Sequence, residues 1–426
     1  MRERLASRLG FLMLAAGCAV GLGNVWRFPF VVGQNGGAAF VLVYLLFLAL
    51  FGFPILLAEL AVGRGGMSGI AGAFRNLGGR VWGFIGLAIF AGNLLLMVYY
   101  TDVAGWLLKF TESYAATGTP PEFAALTADR TTCLAAMLVS VAAATAACAV
   151  GVQRGVERVT KWMMISLLAL LGVLAVKSLT LEGAAKGLAF YLKPDWTPLL
   201  THPGRVVFDA MGQAFFTLSI GVGAMTIFGS YIDRRESLVK ESVLIIIIDT
   251  LVAFTAGLII FPACATFDVD VACGPGLIFS ALPKVFAVMN GGRIWGFVFF
   301  LFLSLAALTT VVAVFECLVG GLVDEWKLGR RTAALGVGVA VALLSLPCVF
   351  VDGALEAEDF VFSKFWLPLG GLAFSVFVSW RIGWGWEAFR DEASAGRGAA
   401  LPGWTKAVFR YVVPAIIVVI VAGGLV

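Results

Sequence analysis

An apolar run near the start of the chain is interrupted in a way few folds tolerate. Residues Gly17-Cys18-Ala19-Val20-Gly21-Leu22-Gly23-Asn24-Val25-Trp26-Arg27-Phe28-Pro29 lie in a stretch long enough to cross a bilayer, which takes about 20 apolar residues. Yet they include three glycines, an Asn, an Arg and a Pro. Gly and Pro loosen or delete helical hydrogen bonds. In lipid, a freed carbonyl or amide costs several kcal/mol unless protein, water or a ligand satisfies it. A break at that depth is tolerated where it lines a cavity, and its carbonyls beside Asn24 are hard oxygen ligands suited to a small cation. The plain alternative is a kinked packing helix whose small residues let a neighbour approach closely. That alternative does not require Asn24 or Arg27.

Composition fixes the class. The 426 residues are 61% hydrophobic and 13% charged, with a mean hydropathy of +0.98. No soluble domain of this length hides so much apolar surface, so the chain reads as a polytopic membrane protein. Its net charge of +4 comes from short loops between apolar runs and does not indicate a nucleic-acid partner. The seven cysteines are scattered, without a CxxC or a Cys/His cluster, and read as small core residues. The lone His202 falls in a loop, with no nucleophile or metal-ligand set, so no enzyme is expected. The basic start (Arg2, Arg4, Arg8) imitates a signal peptide, but Asn24, Arg27 and an immediately following span argue against cleavage.

The hydropathy pattern predicts eleven helical spans, near 11–35, 38–63, 82–110, 131–150, 159–180, 205–231, 241–266, 293–322, 332–350, 358–380 and 405–424. Lys and Arg collect in the N-terminal tail and in alternate loops, such as Arg75 and Arg80, Arg154 and Arg158, or Arg330 and Arg331. The positive-inside rule makes that side cytoplasmic and puts the C-terminus outside. The outer stretch 267–292 is apolar enough to dip back towards the protein. The sixth span repeats the anomaly of the first: Gln213 and Thr217 precede the closely spaced Gly221 and Gly223. Gly-interrupted spans at corresponding positions of two halves point to a midplane substrate site in a transporter built on an inverted repeat. The halves would be 11–180 and 205–380, with 405–424 as an extra helix of one membrane domain, 1–426.

Three more stretches place polar groups in apolar helices: Tyr99, Tyr100 and Asp102 in span three, Asp249-Thr250 in span seven, and Thr309-Thr310 in span eight. A buried aspartate in lipid is a functional-site hypothesis by default. Paired threonines can instead bond their own i−4 carbonyls. Glu59 can either snorkel or bond the amides of a broken helix.

The first-span run 16–29, with Gln34-Asn35-Gly36-Gly37-Ala38-Ala39-Phe40, resembles the signature of the neurotransmitter:sodium symporters. The likeness continues through Gln213–Gly223, Gly274–Pro283 and Thr309-Thr310, covering nearly the whole chain in order. It implies an all-α five-plus-five inverted-repeat fold with broken helices one and six, and sodium-coupled uptake of amino acids or related amines. Eleven spans is a pattern of bacterial members.

By position, the resemblance implies a first sodium site from the Ala19 carbonyl, Asn24, Thr217, Asp249 and the substrate carboxylate. It implies a second from the carbonyls of Gly17, Val20 and Ala306 with the hydroxyls of Thr309 and Thr310. The substrate carboxylate would meet Tyr100 and the amides near Leu22 and Gly23. The side-chain pocket maps to Cys18, Leu96, Phe216, Ser219, Val222 and Val314, with Ala19, Thr217 and Thr310 bordering both ion and substrate. An outer gate would pair Arg27 with Asp359, and an inner latch Arg2 with Asp324. Cys18 departs from the Asn frequent in amino-acid carriers. Asp249 departs from the Asn usual in animal members, whose chloride is held partly by a Ser that Ala253 replaces here.

These readings lead to a sodium-driven, chloride-independent importer of neutral, bulky apolar amino acids in a cell inner (plasma) membrane. The expected partners are the amino acid, two sodium ions and the lipid bilayer. The resemblance leaves room for a homodimer. The rival from another class is an amino-acid-gated channel or receptor on the same fold without coupled transport.

Overall fold

The computed structural model describes residues 5–271, 276–396, 398 and 400–424. Among these, nine helices are long and apolar enough to cross a membrane: Ala38–Gly66, Arg80–Ala116, Arg130–Val150, Val152–Leu179, Leu238–Thr266, Gly292–Trp326, Arg330–Phe350, Ala354–Ser379 and Thr405–Gly423. They are spans two to five and seven to eleven. Span one is the pair Arg8–Ala19 and Gly23–Gln34, bent by 54°. Span six is Pro203–Thr217 followed by Ala224–Gly229 across a non-helical segment. The architecture is the expected all-α, eleven-span inverted repeat with helices one and six broken.

Both breaks follow from local chemistry. In span one the helix ends where Val20 turns extended, and Asn24 bends back so that its Oδ1 accepts the Gly21 amide at 3.1 Å. In span six, Gly221 (φ +94°) and Gly223 (φ +70°) occupy left-handed backbone that favours glycine. Any Cβ on Gly221 would lie 2.1 Å from the Leu367 carbonyl, so the break is also a close approach to span ten.

Shorter helices close the two ends. Ala184–Leu192 and Thr197–Thr201 lie between spans five and six, and Leu277–Val288 lies between seven and eight. As its apolarity predicts, the latter dips inward: Phe279 packs on Trp26, Trp106, Phe110 and Phe123. Gly274 and Pro275 fall outside the described residues. Near the basic loops, Ile70–Gly78 and Trp386–Ala393 both pack against the second half of span two, Phe53–Gly66. There Arg64 bonds Glu392 at 2.6 Å.

Candidate functional site

The two breaks meet. Gln213 Nε2 donates to the Gly23 carbonyl at 2.9 Å, joining span six to the second half of span one. The Asn24 amide nitrogen donates to Thr217 Oγ1 at 3.0 Å, to the Asp249 carbonyl at 3.1 Å and to Asp249 Oδ1 at 2.7 Å. Thr217 in turn donates to Asp249 Oδ2 at 3.0 Å. Asn24, Thr217 and Asp249 are all fully buried. Side-chain oxygens of spans six and seven therefore converge on the Asn24 amide, whose own oxygen holds the Gly21 amide, where a helix has given up its own hydrogen bonds; oxygens gathered in this way can bind a desolvated cation.

A second group of oxygens lies around span eight. Thr310 Oγ1 lies 3.4 Å from the Gly17 carbonyl, 3.5 Å from that of Val20 and 3.4 Å from that of Ala306. Thr309 Oγ1 donates to the Ala306 carbonyl at 2.9 Å. The five residues read from the sequence as one set are together here, with both hydroxyls buried.

A small cavity lies beside these oxygens, lined by Ala19, Gly21, Leu22, Gly23, Leu96, Tyr100, Phe216, Ser219, Val222, Thr310, Phe362 and Leu367. Its polar end holds the Leu22 amide, which donates to the Tyr100 hydroxyl at 3.2 Å. Apart from Ser219 and Thr310, its other walls are apolar. Cys18 and Val314, expected in the side-chain pocket, are fully buried and do not line this cavity. Phe362 and Leu367 do line it and were not foreseen. Phe362 follows Asp359 by one turn of span ten, the only signal that could have found it.

Glu59 takes the second of its two open readings. Its carboxyl oxygens accept the Gly221 amide at 2.6 Å and the Met225 amide at 3.2 Å, capping the second half of span six. Asn93 adds a bond to the Val222 carbonyl at 2.7 Å. Amides stranded by the break are thus satisfied, as the low dielectric demands.

The charged pairs expected above and below the site are arranged differently. The Arg27 guanidinium lies over the Phe216 ring, 4.8 Å from its centroid, and Asp359 accepts the Ser363 hydroxyl at 2.9 Å. Among the described residues, Arg27 and Asp359 do not form an ion pair. Arg2 lies outside the described residues. Asp324 accepts the Gly69 amide at 2.7 Å, fastening span eight to the loop after span two. The N-terminal segment is held by Glu157, which accepts the Ala6 amide at 2.7 Å and the Ser7 hydroxyl at 2.9 Å, and by an Arg8–Glu241 pair at 2.7 Å.

Known proteins resemble the chain end to end. The sequence profile of the Sodium:neurotransmitter symporter family matches residues 2–121 and 123–426. An uncharacterized sodium-dependent transporter of Bacillus subtilis is 34% identical over 439 residues, covering 97% of this chain and 96% of that protein. The sodium-dependent serotonin transporter of Drosophila melanogaster is 28% identical over 431 residues, 88% of this chain and 68% of that protein. The crystal structure of MhsT in complex with L-phenylalanine superposes with a TM-score of 0.88 at 37% identity, covering 100% of both chains. The chain accordingly belongs to the sodium:neurotransmitter symporter family and is a membrane-spanning, sodium-dependent transporter, not an enzyme.

Proposed function

We propose that the protein imports neutral amino acids with bulky apolar side chains, driven by sodium and by alternating access to the cavity between the two breaks. The observation that carries this reading is the convergence of Asn24, Thr217 and Asp249 against a cavity walled by Leu96, Phe216, Val222 and Phe362. Sodium takes two sites. The first is built from Asn24, Thr217, Asp249, the Ala19 carbonyl and the substrate carboxylate. The second is built from the carbonyls of Gly17, Val20 and Ala306 with Thr309 and Thr310. All the donors are oxygens, as a hard cation requires.

The substrate carboxylate lies at the Leu22 amide and Tyr100 hydroxyl, where the first sodium shares it. The side chain extends towards walls that offer no charge to an acidic or basic group, and burying one unpaired is costly. That L-phenylalanine occupies the MhsT structure supports a substrate of this class. The basic loops face the cytoplasm of a plasma membrane, and residues 11–180 and 205–380 are the two repeats.

The test is thermal unfolding of purified protein with a panel of amino acids, in sodium and in potassium. A ligand at a hundredfold excess over its Kd stabilises by about 2.7 kcal/mol. Phenylalanine, leucine or tryptophan should raise the Tm in sodium and have little effect in potassium. Stabilisation by glutamate or lysine instead, or equal shifts in both salts, would overturn the assignment.

A further inference from the structure

Asn93 interrupts the apolar run Ile89-Phe90-Ala91-Gly92-Asn93-Leu94-Leu95-Leu96 of span three and is 1% exposed. A polar side chain at membrane depth costs free energy unless it makes a bond that offsets the loss of water. Asn93 makes its bond to the break in span six, where its Nδ2 donates to the Val222 carbonyl at 2.7 Å. Its Oδ1 has no partner among the described residues.

Val222 is a wall of the cavity, and so is Leu96, one turn from Asn93 on the same face of span three. The backbone on either side gives Val222 little support. Gly221 and Gly223 flank it, both in left-handed backbone, and neither Gly221 nor Val222 belongs to a helix. Glycine leaves the chain freer to turn than any other residue does. Gly221 is held separately. Glu59 accepts its amide, and a Cβ on Gly370 would lie 1.7 Å from its carbonyl, so span ten presses directly on it. The Val222 carbonyl is held from span three. We propose that Asn93 is a positioning residue for substrate selection: its bond to the Val222 carbonyl sets where the Val222 side chain stands, and so which side chains the cavity accepts. This rests on the amino-acid reading of the cavity.

The simpler role is to satisfy a carbonyl that the break has stranded. Losing the bond would then loosen the whole break and weaken every ligand alike. A positioned wall has a different signature. Without the bond the Val222 peptide turns about its two glycines, and the fit of each side chain changes. The polar end of the cavity, at the Leu22 amide and Tyr100 hydroxyl, stays as it was. A hydrophobic pocket separates side chains that differ by one methylene by about tenfold or more. A wall held loosely should erase much of that separation. Sodium should be indifferent, because the ligands proposed for it include neither Asn93 nor Val222.

The experiment ranks phenylalanine, leucine, valine and tryptophan by the concentration that raises the Tm of purified protein in sodium. It compares the native protein with Asn93→Leu, Val222→Ala and the double variant. Leucine is close to asparagine in size and cannot donate. In Asn93→Leu the spread of apparent affinities should shrink severalfold, while the Tm gain from sodium alone stays as in the native protein. In the Val222→Ala background, where the wall is already cut back, the same substitution should change the spread little. A spread equal to the native one, or affinities that fall equally for every amino acid, would overturn the proposal. So would a full effect of Asn93→Leu in the Val222→Ala protein, since it could not then pass through that wall. Should Asn93→Leu not fold, Asn93→Gln decides: its amide sits one carbon further out, and an unchanged ranking would overturn the proposal equally. A native protein that none of these amino acids stabilises would sink the amino-acid reading and this inference together. A native ranking that survives Asn93→Leu would sink this inference alone.

Discussion

The Asn24 carboxamide reaches across to the Asp249 carboxylate at 2.7 Å, tying the break in span one to the middle of span seven. An amide next to a carboxylate gives the site one formal negative charge with oxygens on both partners. The two sodium ions and the zwitterion proposed above would sum to two positive charges, and one carboxylate would reduce this to one. At roughly 5 Å and an effective dielectric near 20, that carboxylate is worth about 3 kcal/mol to a neighbouring cation.

Uptake is therefore expected not to require chloride. Position 253, beside Asp249 on span seven, is a fully buried alanine with no hydroxyl to offer an anion. Uptake with gluconate replacing chloride should be undiminished. The double variant Asp249→Asn with Ala253→Ser should acquire a chloride requirement. A native protein that stalls without chloride would show that Asp249 does not take the anion's place.

The second oxygen cluster yields a sharper test. Thr309→Val with Thr310→Val keeps shape but deletes two hydroxyls, leaving the carbonyls of Gly17, Val20 and Ala306 to bind alone. Each lost polar partner costs about 1–3 kcal/mol, so sodium-driven uptake should fall at least about tenfold at limiting sodium. Unchanged sodium dependence would mean that span eight holds no ion.

Glu59 is expected to matter for stability. Glu59→Leu leaves the Gly221 and Met225 amides without acceptors, at about 1–3 kcal/mol each. Glu59→Gln keeps one acceptor oxygen. The Tm should drop in both variants, further for leucine than for glutamine. Equal Tm values in all three proteins would show that the break is held by other contacts.

Arg27 and Asp359 are expected to act in turnover. Arg27 rests on Phe216 and Asp359 on Ser363, so their direct pairing is not a resident contact, and the gate reading expects it to form on closure. A contact absent from this structure adds nothing to its resting stability. Asp359→Asn should therefore slow uptake far more than it lowers Tm. Normal turnover in that variant would remove Asp359 from the gate.

What the sequence revealed and what it hid have physical reasons. The broken spans were legible because Gly, Asn and Pro inside an apolar run violate the rule that lipid-buried backbone must pair. Asp249 and the Thr pair stood out for the same reason, as polar groups where apolar ones cost nothing. Phe362 and Leu367 gave no such signal, since an apolar residue on an apolar helix looks alike whether it faces lipid, core or cavity. Cys18 and Val314 fit the pocket by position yet do not line the cavity. A one-dimensional match fixes where a residue falls along a helix and not which face of it meets the empty space. Glu157 and Glu241 were missed because acidic residues near span ends usually read as solvated. Here they hold the N-terminal segment.

The most direct measurement is uptake of labelled phenylalanine into proteoliposomes under an inward sodium gradient with the interior negative. Each sodium entering gains about 2.3 kcal/mol per 100 mV and about 1.4 kcal/mol more from a tenfold gradient. One ion can therefore drive accumulation by roughly several hundredfold. Phenylalanine should accumulate above its external concentration with sodium and not with potassium. It should also exchange one-for-one in counterflow. Equilibration without accumulation, at the same rate in either salt, would contradict coupled transport.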